Sequence, residues 1–486
     1  MGFGRNHRRV AVIGGGISGL AAAHRICELA AAREFPVEVA LFEKGSNLGR
    51  ALATISEQGF VIEAGADSFL SEKPWALELA KRLGLERELI GTDERFRKTW
   101  VVRAGRLVEI PEGFTLLAPT RFLPVFTSPL FSIPGKLRMA LEPLVPARRD
   151  GGDESLGSFV TRRLGREVLD RVAQPLAGGI YTADPASLSL MATMPRFIEM
   201  ERSYGSLFKG LRAASRNRPV QSRGTSGARW SLFVSFRGGM RVLVEALATR
   251  LGERVRMGTP IAELARPSGG GGGWRVGTAD GGAFDADAVV VATPAYDAAR
   301  LLRPHDAELA RLLGEIGYSS AASVNIAYRV ADLPRLPESF GFVVPVKERR
   351  KIIACTFSSI KFPHRAPEGT VLMRAFLGGT LQAEMMRLED AAMVAAVREE
   401  IAALLGVGGE PILAHVHRWP EQMPQYGVGH LDRVAEIERY SAALPGLALA
   451  GAAYRGVGVP DCVHSGEQAA EALFNYLQER DKGPAR

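Results

Sequence analysis

The chain has 486 residues, of which 46% are hydrophobic and 23% are charged. This balance excludes a disordered chain, a coiled coil and a collagen-like fibre, and the length predicts two or three domains at about 150 residues each. Three cysteines without a CxxC pair exclude a disulfide framework, a zinc finger and an iron–sulfur site, and fit a reduced intracellular compartment. The net charge of +8 leaves nucleic acid, an anionic membrane or an acidic substrate open as partners.

The N-terminal region predicts a β–α–β unit with a dinucleotide-binding turn. Residues 8–16 read as an apolar strand that runs into glycines, residues 17–32 as an alanine-rich helix, and residues 37–43 as a second strand. The turn carries a GxGxxG motif, whose glycines permit a tight turn, close approach of a pyrophosphate and close helix packing. An acidic residue at the end of the second strand accepts ribose hydroxyls. Dinucleotide contacts are predicted at Gly14, Gly15, Gly16, Ile17, Ser18, Gly19 and Glu43.

From about residue 70 to residue 200 the pattern changes to helices and proline-broken loops, which predicts an inserted, mainly helical region. Within it, residues 113–135 are rich in large apolar side chains and carry a single charge, Arg121. Prolines recur every five residues from Pro119 to Pro134, and they forbid one continuous helix across a membrane. Two interpretations stay open for this segment, namely the lining of an apolar cavity or core, and contact with the face of a bilayer.

The sequence after Glu43 resembles the second flavin signature of the amine-oxidase-like FAD superfamily. Residues 45–54 (GSNLGRALAT) and 59–69 (GFVIEAGADSF) carry this resemblance. Arg50 stands where family members usually have a second glycine, and Ala51 stands where they have a basic residue that helps to hold the pyrophosphate. Arg50 is expected to supply that charge from one position earlier, and Ala66 replaces the usual proline.

Further segments are similar to the oxygen-dependent protoporphyrinogen or coproporphyrinogen oxidases. Residues 175–185 (PLAGGIYTADP) resemble the family's substrate-cavity signature, and residues 451–462 (GAAYRGVGVPDC) resemble the segment that closes over its isoalloxazine ring. Residues 236 and 238–240, 418–419, 423–426 and 429–430 match as well. The resemblance covers nearly the whole chain in the right order. It implies an FAD enzyme of haem biosynthesis that removes six electrons from a porphyrinogen, with dioxygen reduced to hydrogen peroxide.

Pattern and resemblance together predict an α/β fold (α+β overall). A Rossmann-like FAD-binding domain is assembled from discontinuous segments, with an inserted substrate-binding sheet domain and a helical domain that faces a membrane or a cavity. The predicted segments are 1–90, 223–298 and 431–486 for the FAD-binding domain, 91–222 for the mainly helical insertion and 299–430 for the substrate-binding β-sheet domain.

The resemblance implies where cofactor and substrate bind. No residue is assigned to proton transfer, because the flavin itself carries the chemistry, and the scattered histidines predict no metal site. Substrate contacts are implied at Gly179, Ile180 and Tyr181. Unranked candidates for binding the propionates are Lys136, Arg138, Arg212, Arg216, Arg218, Arg223 and Arg229. The implied FAD contacts are Gly14, Gly15, Gly16, Ile17, Ser18, Gly19, Glu43, Lys44, Arg50, Ala51, Gly65, Ala66, Asp67, Ser68, Val255, Trp419, Val457, Gly458 and Val459.

The substrate within the family, coproporphyrinogen III or protoporphyrinogen IX, stays open on this sequence. Two other functions also stay open: another enzyme of the superfamily, such as an amine oxidase or a carotenoid desaturase, and a flavin-binding protein without turnover. Basic residues are not interleaved with aromatic ones, so no nucleic-acid partner is predicted. Because no apolar run reaches the roughly 18 residues of a membrane span, we expect a cytoplasmic protein, either free or peripheral at the inner face of the cell membrane.

Overall fold

The computed structural model of the protein describes residues 7–115, 118–119, 123–148, 151–217, 231–267 and 272–481. The strands are β1 (Arg8–Ile13), β2 (Val37–Phe42), β3 (Thr54–Glu57), β4 (Phe60–Glu63), β5 (Phe69–Leu70), β6 (Leu89–Gly91), β7 (Thr99–Arg103), β8 (Arg106–Glu109), β9 (Phe114–Thr115), β10 (Ala118–Pro119), β11 (Phe233–Phe236), β12 (Val255–Arg256), β13 (Ile261–Ala265), β14 (Trp274–Thr278), β15 (Ala283–Ala286), β16 (Ala288–Val291), β17 (Tyr318–Arg329), β18 (Gly341–Val343), β19 (Ala354–Thr356), β20 (Thr370–Gly378), β21 (Leu413–Pro424) and β22 (Leu447–Leu449). The helices are α1 (Ile17–Ala32), α2 (Trp75–Arg82), α3 (Leu123–Thr127), α4 (Ile133–Ala140), α5 (Leu156–Leu164), α6 (Arg166–Val168), α7 (Gln174–Tyr181), α8 (Leu190–Thr193), α9 (Pro195–Tyr204), α10 (Leu207–Asn217), α11 (Arg241–Leu251), α12 (Ala295–Leu302), α13 (Ala307–Gly314), α14 (Ser358–Lys361), α15 (Asp390–Leu405), α16 (His430–Ala442) and α17 (Val459–Asp481).

A five-stranded parallel sheet in the order β12-β2-β1-β16-β22 forms the first core. Its central strands are apolar and buried, which is typical of a parallel sheet covered on both faces. Helices α1 and α17 cover one face, while α12, α13, α16 and the antiparallel β13-β14-β15 sheet cover the other. The strands come from three separate stretches of the chain. This arrangement confirms the predicted Rossmann-like domain assembled from discontinuous segments.

The second large sheet has seven strands in the order β21-β17-β20-β19-β18-β7-β8. Its long strands pair antiparallel and pack against α15. At the far edge, the β7–β8 hairpin joins from much earlier in the chain, with Thr99 paired to Gly341. Residues 99–109 therefore belong to this sheet, although the prediction placed them in the mainly helical insertion. The hairpin was missed because its strands are short and their partner strand is distant in the sequence. The domain boundaries themselves stay predictions.

Helices α3 to α10 form a helical layer around an apolar core that they share with residues of the seven-stranded sheet. Within residues 113–135, Leu130 and Phe131 lie in this core, whereas Leu123 is 76% exposed and Ile133 is 74% exposed. The segment therefore contributes to the core and to the surface at once. Among the described helices, none is both long and apolar enough to cross a bilayer. Residues 116–117 and 120–122 of the segment lie outside the described residues.

Candidate functional site

The turn between β1 and α1 is a cradle of backbone groups at the edge of the parallel sheet. Gly14 has a φ of 110° and lies against the carbonyl group of Ala292, so a side chain there would clash. Gly16 differs, because a Cβ atom added to it would meet no atom of the described residues within 4 Å. Open space therefore borders Gly16 where the first amide groups of α1 lack a side-chain cap. This combination fits a phosphate group, which amide donors and a positive helix end attract.

The carboxylate of Glu43 lies beside this turn, at the end of β2. Its Oε2 accepts a hydrogen bond from the amide of Gly15 at 2.7 Å, and its Oε1 accepts one from the amide of Gly45 at 2.7 Å. The amide of Glu43 donates to the carbonyl oxygen of Arg256 at 2.9 Å, so Val255 in β12 lies one residue from this contact. Each carboxylate oxygen accepts up to two hydrogen bonds, which leaves acceptor capacity for a ribose.

Two basic residues of the predicted set lie in different surroundings. The Nζ of Lys44 pairs with Asp297 at 3.0 Å, and 57% of the lysine side chain is exposed, so this side chain is held on the surface. Arg50 is exposed and has a φ of 43°, in the left-handed region that favours glycine. Members of the flavin family that this sequence resembles usually have a glycine at the position of Arg50, and glycine adopts this backbone conformation without strain. The carbonyl oxygen of Ala51 accepts a hydrogen bond from the amide of Ala66 at 2.9 Å, which brings two predicted segments together.

A buried charged cluster fixes the segment after β4 to the seven-stranded sheet. Lys361 Nζ lies 3.0 Å and Arg374 Nη2 lies 3.5 Å from Asp67 Oδ2, and Arg365 Nη2 lies 3.3 Å from Glu63 Oε1. At most 14% of any of these side chains is exposed. Burial alone would raise the pKa of Asp67, but Lys361 and Arg374 outweigh it and hold that pKa well below its usual range. Burial raises the pKa of Glu63. Three cations here face two carboxylates.

Trp419 in β21 holds the same segment. Its Nε1 donates to the carbonyl oxygen of Ala64 at 3.1 Å, and Arg374 donates to the carbonyl oxygen of Gly65. Lys361 Nζ also lies 3.2 Å from the hydroxyl of Ser68. The backbone implied for the flavin is therefore held by side chains of the second sheet and of α14.

Residues 451–458, here named the C-terminal loop, lead into α17. The first turns of α17 lie against α1, because a Cβ atom on Gly466 would overlap the carbonyl oxygen of Ser18. The N-terminal ends of two helices therefore converge, and each carries a positive partial charge. Val457 and Gly458 end the loop at this convergence, and Val459 begins α17.

The first turn of α17 also carries an acid and a thiol. Asp461 accepts two hydrogen bonds from Lys73 Nζ, at 2.6 Å and 2.7 Å. Cys462 is a free cysteine, and burial raises its pKa to about 12, so the thiol is protonated at neutral pH. Among the described residues, no group of three or more His, Cys, Asp and Glu side chains is placed to hold a metal ion.

The residues implied for the substrate lie at the end of α7, beside the C-terminal loop. Gln425 Nε2 donates to the carbonyl oxygen of Tyr181 at 3.2 Å. Burial raises the pKa of Tyr181 to about 12, and the nearby charge of Asp461 acts in the same direction. Ile180 is 44% exposed, and Gly179 faces Ala354 on the seven-stranded sheet.

The structure brings most of the predicted flavin set around the convergence of α1 and α17, although the ligand roles themselves stay predictions. The cations Lys73, Lys361, Arg365 and Arg374 were missed. One signal was visible, because Arg374 interrupts an apolar strand (VLMRAFLG), and a buried charge requires a partner. Among the propionate candidates, Lys136 and Arg138 donate to backbone carbonyl groups. Arg218, Arg223, Arg229 and the side chain of Arg216 lie outside the described part of the chain.

Comparison with known proteins gives full-length matches. The sequence model of the family described as flavin containing amine oxidoreductase matches residues 17–474. The coproporphyrinogen III oxidase of Bacillus subtilis (strain 168) is 34% identical over 482 residues, which cover 98% of this chain and 100% of that protein. The protoporphyrinogen oxidase of Homo sapiens is 32% identical over 490 residues, which cover 96% and 98%.

A solved structure matches as well. The crystal structure of a candidate protoporphyrinogen oxidase from Exiguobacterium sp. 255-15 has a TM-score of 0.84 and 31% identity, and the match covers 98% of this chain and 100% of that one. These matches confirm the predicted family and an oxidoreductase with a flavin cofactor. The chain belongs to the flavin-containing amine oxidoreductases, in the branch of the coproporphyrinogen III and protoporphyrinogen oxidases.

Proposed function

We propose that the protein binds FAD and oxidises coproporphyrinogen III to coproporphyrin III with dioxygen as the electron acceptor. Removal of six electrons and six protons from the macrocycle reduces three dioxygen molecules to three hydrogen peroxide molecules. The observation that carries the proposal is the position of Tyr181, which Gln425 holds beside the C-terminal loop and the start of α17. The 34% identity to a bacterial coproporphyrinogen III oxidase over its whole length favours this substrate over protoporphyrinogen IX.

In this proposal the FAD lies across the edge of the parallel sheet. The ribose binds the carboxylate of Glu43, and the pyrophosphate occupies the open space at Gly16 and the first amides of α1. The backbone of residues 65–68, together with Trp419 and residues 457–459, would hold the isoalloxazine ring. The positive end of α17 favours negative charge on a bound flavin.

The chain's own residues position the reactants and exclude water. A bound flavin would supply the redox chemistry, namely acceptance of hydride from the porphyrinogen and reoxidation by dioxygen. Tyr181 is protonated at neutral pH, so its hydroxyl donates a hydrogen bond and does not serve as a base. Asp67 is ionised but is engaged by Lys361 and Arg374, so it supports the backbone of the site and takes no proton.

The proposal is tested on the purified protein supplied with FAD. Its absorption spectrum is recorded, and porphyrin fluorescence is followed in air after separate addition of coproporphyrinogen III and protoporphyrinogen IX. We expect flavin bands, a higher kcat/KM for coproporphyrinogen III, and three peroxide molecules for each porphyrin formed. A higher kcat/KM for protoporphyrinogen IX would overturn the choice of substrate.

Flavin bands without turnover of either porphyrinogen would overturn the activity. Assays with polyamines and with phytoene would then distinguish an amine oxidase from a carotenoid desaturase, and a protein inert in all of them would be a flavin-binding protein without turnover. A protein that takes up no FAD would overturn the cofactor site.

We further propose that one face of the helical layer contacts an anionic membrane surface, which would place the protein at the inner face of the cell membrane. Ile133 and Leu137 are four residues apart and share one face of α4. Lys136 and Arg138 of α4 are basic, while Glu142, the one acidic residue within positions 123–144, is fully buried. Apolar and basic side chains together bind anionic lipid. Between positions 123 and 144, the large apolar side chains that are exposed are Leu123, Phe126, Ile133, Leu137, Leu141 and Leu144.

Co-sedimentation with lipid vesicles tests this contact. We expect the protein to sediment with vesicles that contain phosphatidylglycerol and not with pure phosphatidylcholine. The double substitution Ile133→Asp, Leu137→Asp should abolish binding, while Leu336→Asp, at an exposed apolar position on another part of the molecule, should not. Equal sedimentation of the double variant and the wild type would show that this face does not bind lipid.

A further inference from the structure

Tyr426 binds the C-terminal loop through its side-chain hydroxyl. The residue is 2% exposed, and its hydroxyl donates to the carbonyl oxygen of Ala452 and accepts from the amide of Gly456 at 2.9 Å. One buried hydroxyl therefore joins two backbone groups that are four residues apart, and it closes the loop just before α17.

His430 holds the same loop from beneath Tyr426. Its ring is fully buried and stacks on the Tyr426 ring, with centroids 4.0 Å apart and planes 13° apart. Its Nε2 lies 2.8 Å from the carbonyl oxygen of Tyr454, which only accepts hydrogen bonds, so Nε2 carries a proton. Burial lowers the pKa of His430, so the ring is neutral at neutral pH. The two side chains together hold the backbone at three alternate residues of the loop.

The same short segment also contacts the residues implied for the substrate. The carbonyl oxygen of Tyr426 accepts a hydrogen bond from the amide of Ser189 at 2.7 Å, in the connection that follows α7. Its neighbour Gln425 donates to the carbonyl oxygen of Tyr181. Tyr426 therefore lies between the end of α7, where the residues implied for the substrate are found, and the C-terminal loop.

We infer that Tyr426 and His430 are positioning residues, which set the C-terminal loop and the first turn of α17 against the flavin. This inference rests on the FAD site proposed above. Neither side chain transfers a proton or an electron. Their task is to fix the loop backbone before the cofactor binds, so that no free energy of binding is spent on ordering it.

Tyr426→Phe is the decisive variant, and Tyr328→Phe is its matched control. Both remove the hydroxyl of a buried tyrosine, but Tyr328 packs in the core between the seven-stranded sheet and α15, where its side chain hydrogen-bonds Arg398, whereas the Tyr426 hydroxyl binds two backbone groups of the C-terminal loop. Tyr426→Phe takes this partner from a half-buried carbonyl and a half-buried amide, so we expect the Kd for FAD to rise about tenfold or more. Backbone hydrogen exchange of residues 451–458 should become faster, and the flavin absorption bands should shift.

The same measurements on Tyr328→Phe should stay within about twofold of the wild type. If Tyr426→Phe matches the wild type in FAD affinity, loop exchange and flavin spectrum, the inference is overturned while the proposed function stands. If the wild type itself binds no FAD, the proposed function fails first. Loop exchange measured without FAD then still shows whether Tyr426 orders the loop.

His430 provides a second test that does not depend on Tyr426→Phe folding. His430→Gln keeps an amide donor near the position of Nε2, whereas His430→Leu removes it. We expect His430→Leu to weaken FAD binding and speed exchange of the loop, and His430→Gln to restore part of both. Equal effects of the two substitutions would show that packing at this position matters and that the hydrogen bond does not.

Discussion

Replacing Asp67 by asparagine tests whether the buried charged cluster holds the segment after β4 against the seven-stranded sheet. The carboxylate lies 3.0 Å from Lys361 and 3.5 Å from Arg374, and at most 14% of any of these side chains is exposed. Asparagine keeps the volume and removes the charge, so two cations lose their shared anion where water has little access. Removing one partner of a buried ion pair costs roughly 3–5 kcal/mol, and we expect Asp67→Asn to lower the free energy of unfolding by that amount.

Urea unfolding followed by circular dichroism measures this change. The free energy of unfolding is measured at several FAD concentrations and extrapolated to zero FAD, so that the affinity for the cofactor does not contribute to it. Asp285→Asn is the matched control, because Asp285 pairs with Arg275 at 2.8 Å while 54% of each side chain is exposed. An exposed pair adds little stability, so this control should leave the midpoint almost unchanged. If Asp67→Asn shifts the midpoint no more than Asp285→Asn does, the cluster does not stabilise the contact between the segment after β4 and the seven-stranded sheet.

The remaining predictions concern pH, the phosphate cradle, the Arg50 turn and Tyr181. The folded pKa of Asp67 lies below its unfolded value of about 3.9, so its stabilisation is present above that pH and is lost as the pH falls through the folded pKa. The difference in unfolding free energy between wild type and Asp67→Asn should therefore shrink below about pH 4. Gly16→Ala should leave the Tm unchanged but raise the Kd for FAD about tenfold or more, because its methyl group fills only the open space. An unchanged Kd would contradict the placement of the pyrophosphate. Arg50→Gly should raise the free energy of unfolding by about 0.5–1 kcal/mol, because it removes a left-handed arginine, and should weaken FAD binding in the same titration. FAD binding that is unchanged or tighter in Arg50→Gly would refute the role of the Arg50 charge. Tyr181→Phe should lower kcat/KM without altering the pH profile between about pH 6 and pH 9, since Tyr181 has a pKa of about 12. Loss of a titration step in that range would show that Tyr181 ionises during turnover.

The phosphate cradle could be predicted from the sequence because its determinants are local. The glycines, the strand before them and the helix after them lie within one short β–α–β unit that ends at Glu43. Trp419, Tyr181 and Val457 could not be placed by pattern alone, because they reach the site from three separate parts of the chain. Only the resemblance to a known family connected them.

The charged cluster could not be predicted, since a sequence shows a buried charge more readily than its partner. Lys361 and Asp67 are 294 residues apart, and Lys361 ends a short helix where a lysine usually faces water. The β7–β8 hairpin escaped prediction for a related reason, because the register that joins Thr99 to Gly341 is set by the packed sheet and not by either strand.

The convergence of α1 and α17 has a consequence for biosynthesis. Arg25 of α1 donates to Glu471 of α17 at 2.7 Å, across 446 residues of chain. Two adjoining walls of the proposed cofactor site, α1 and α17, are therefore synthesised at widely separated times. Strand β1 and helix α1 can form early in synthesis, but the site that they help to build stays incomplete until α17 has been made. A nascent chain that stops before α17 would lack one of these walls.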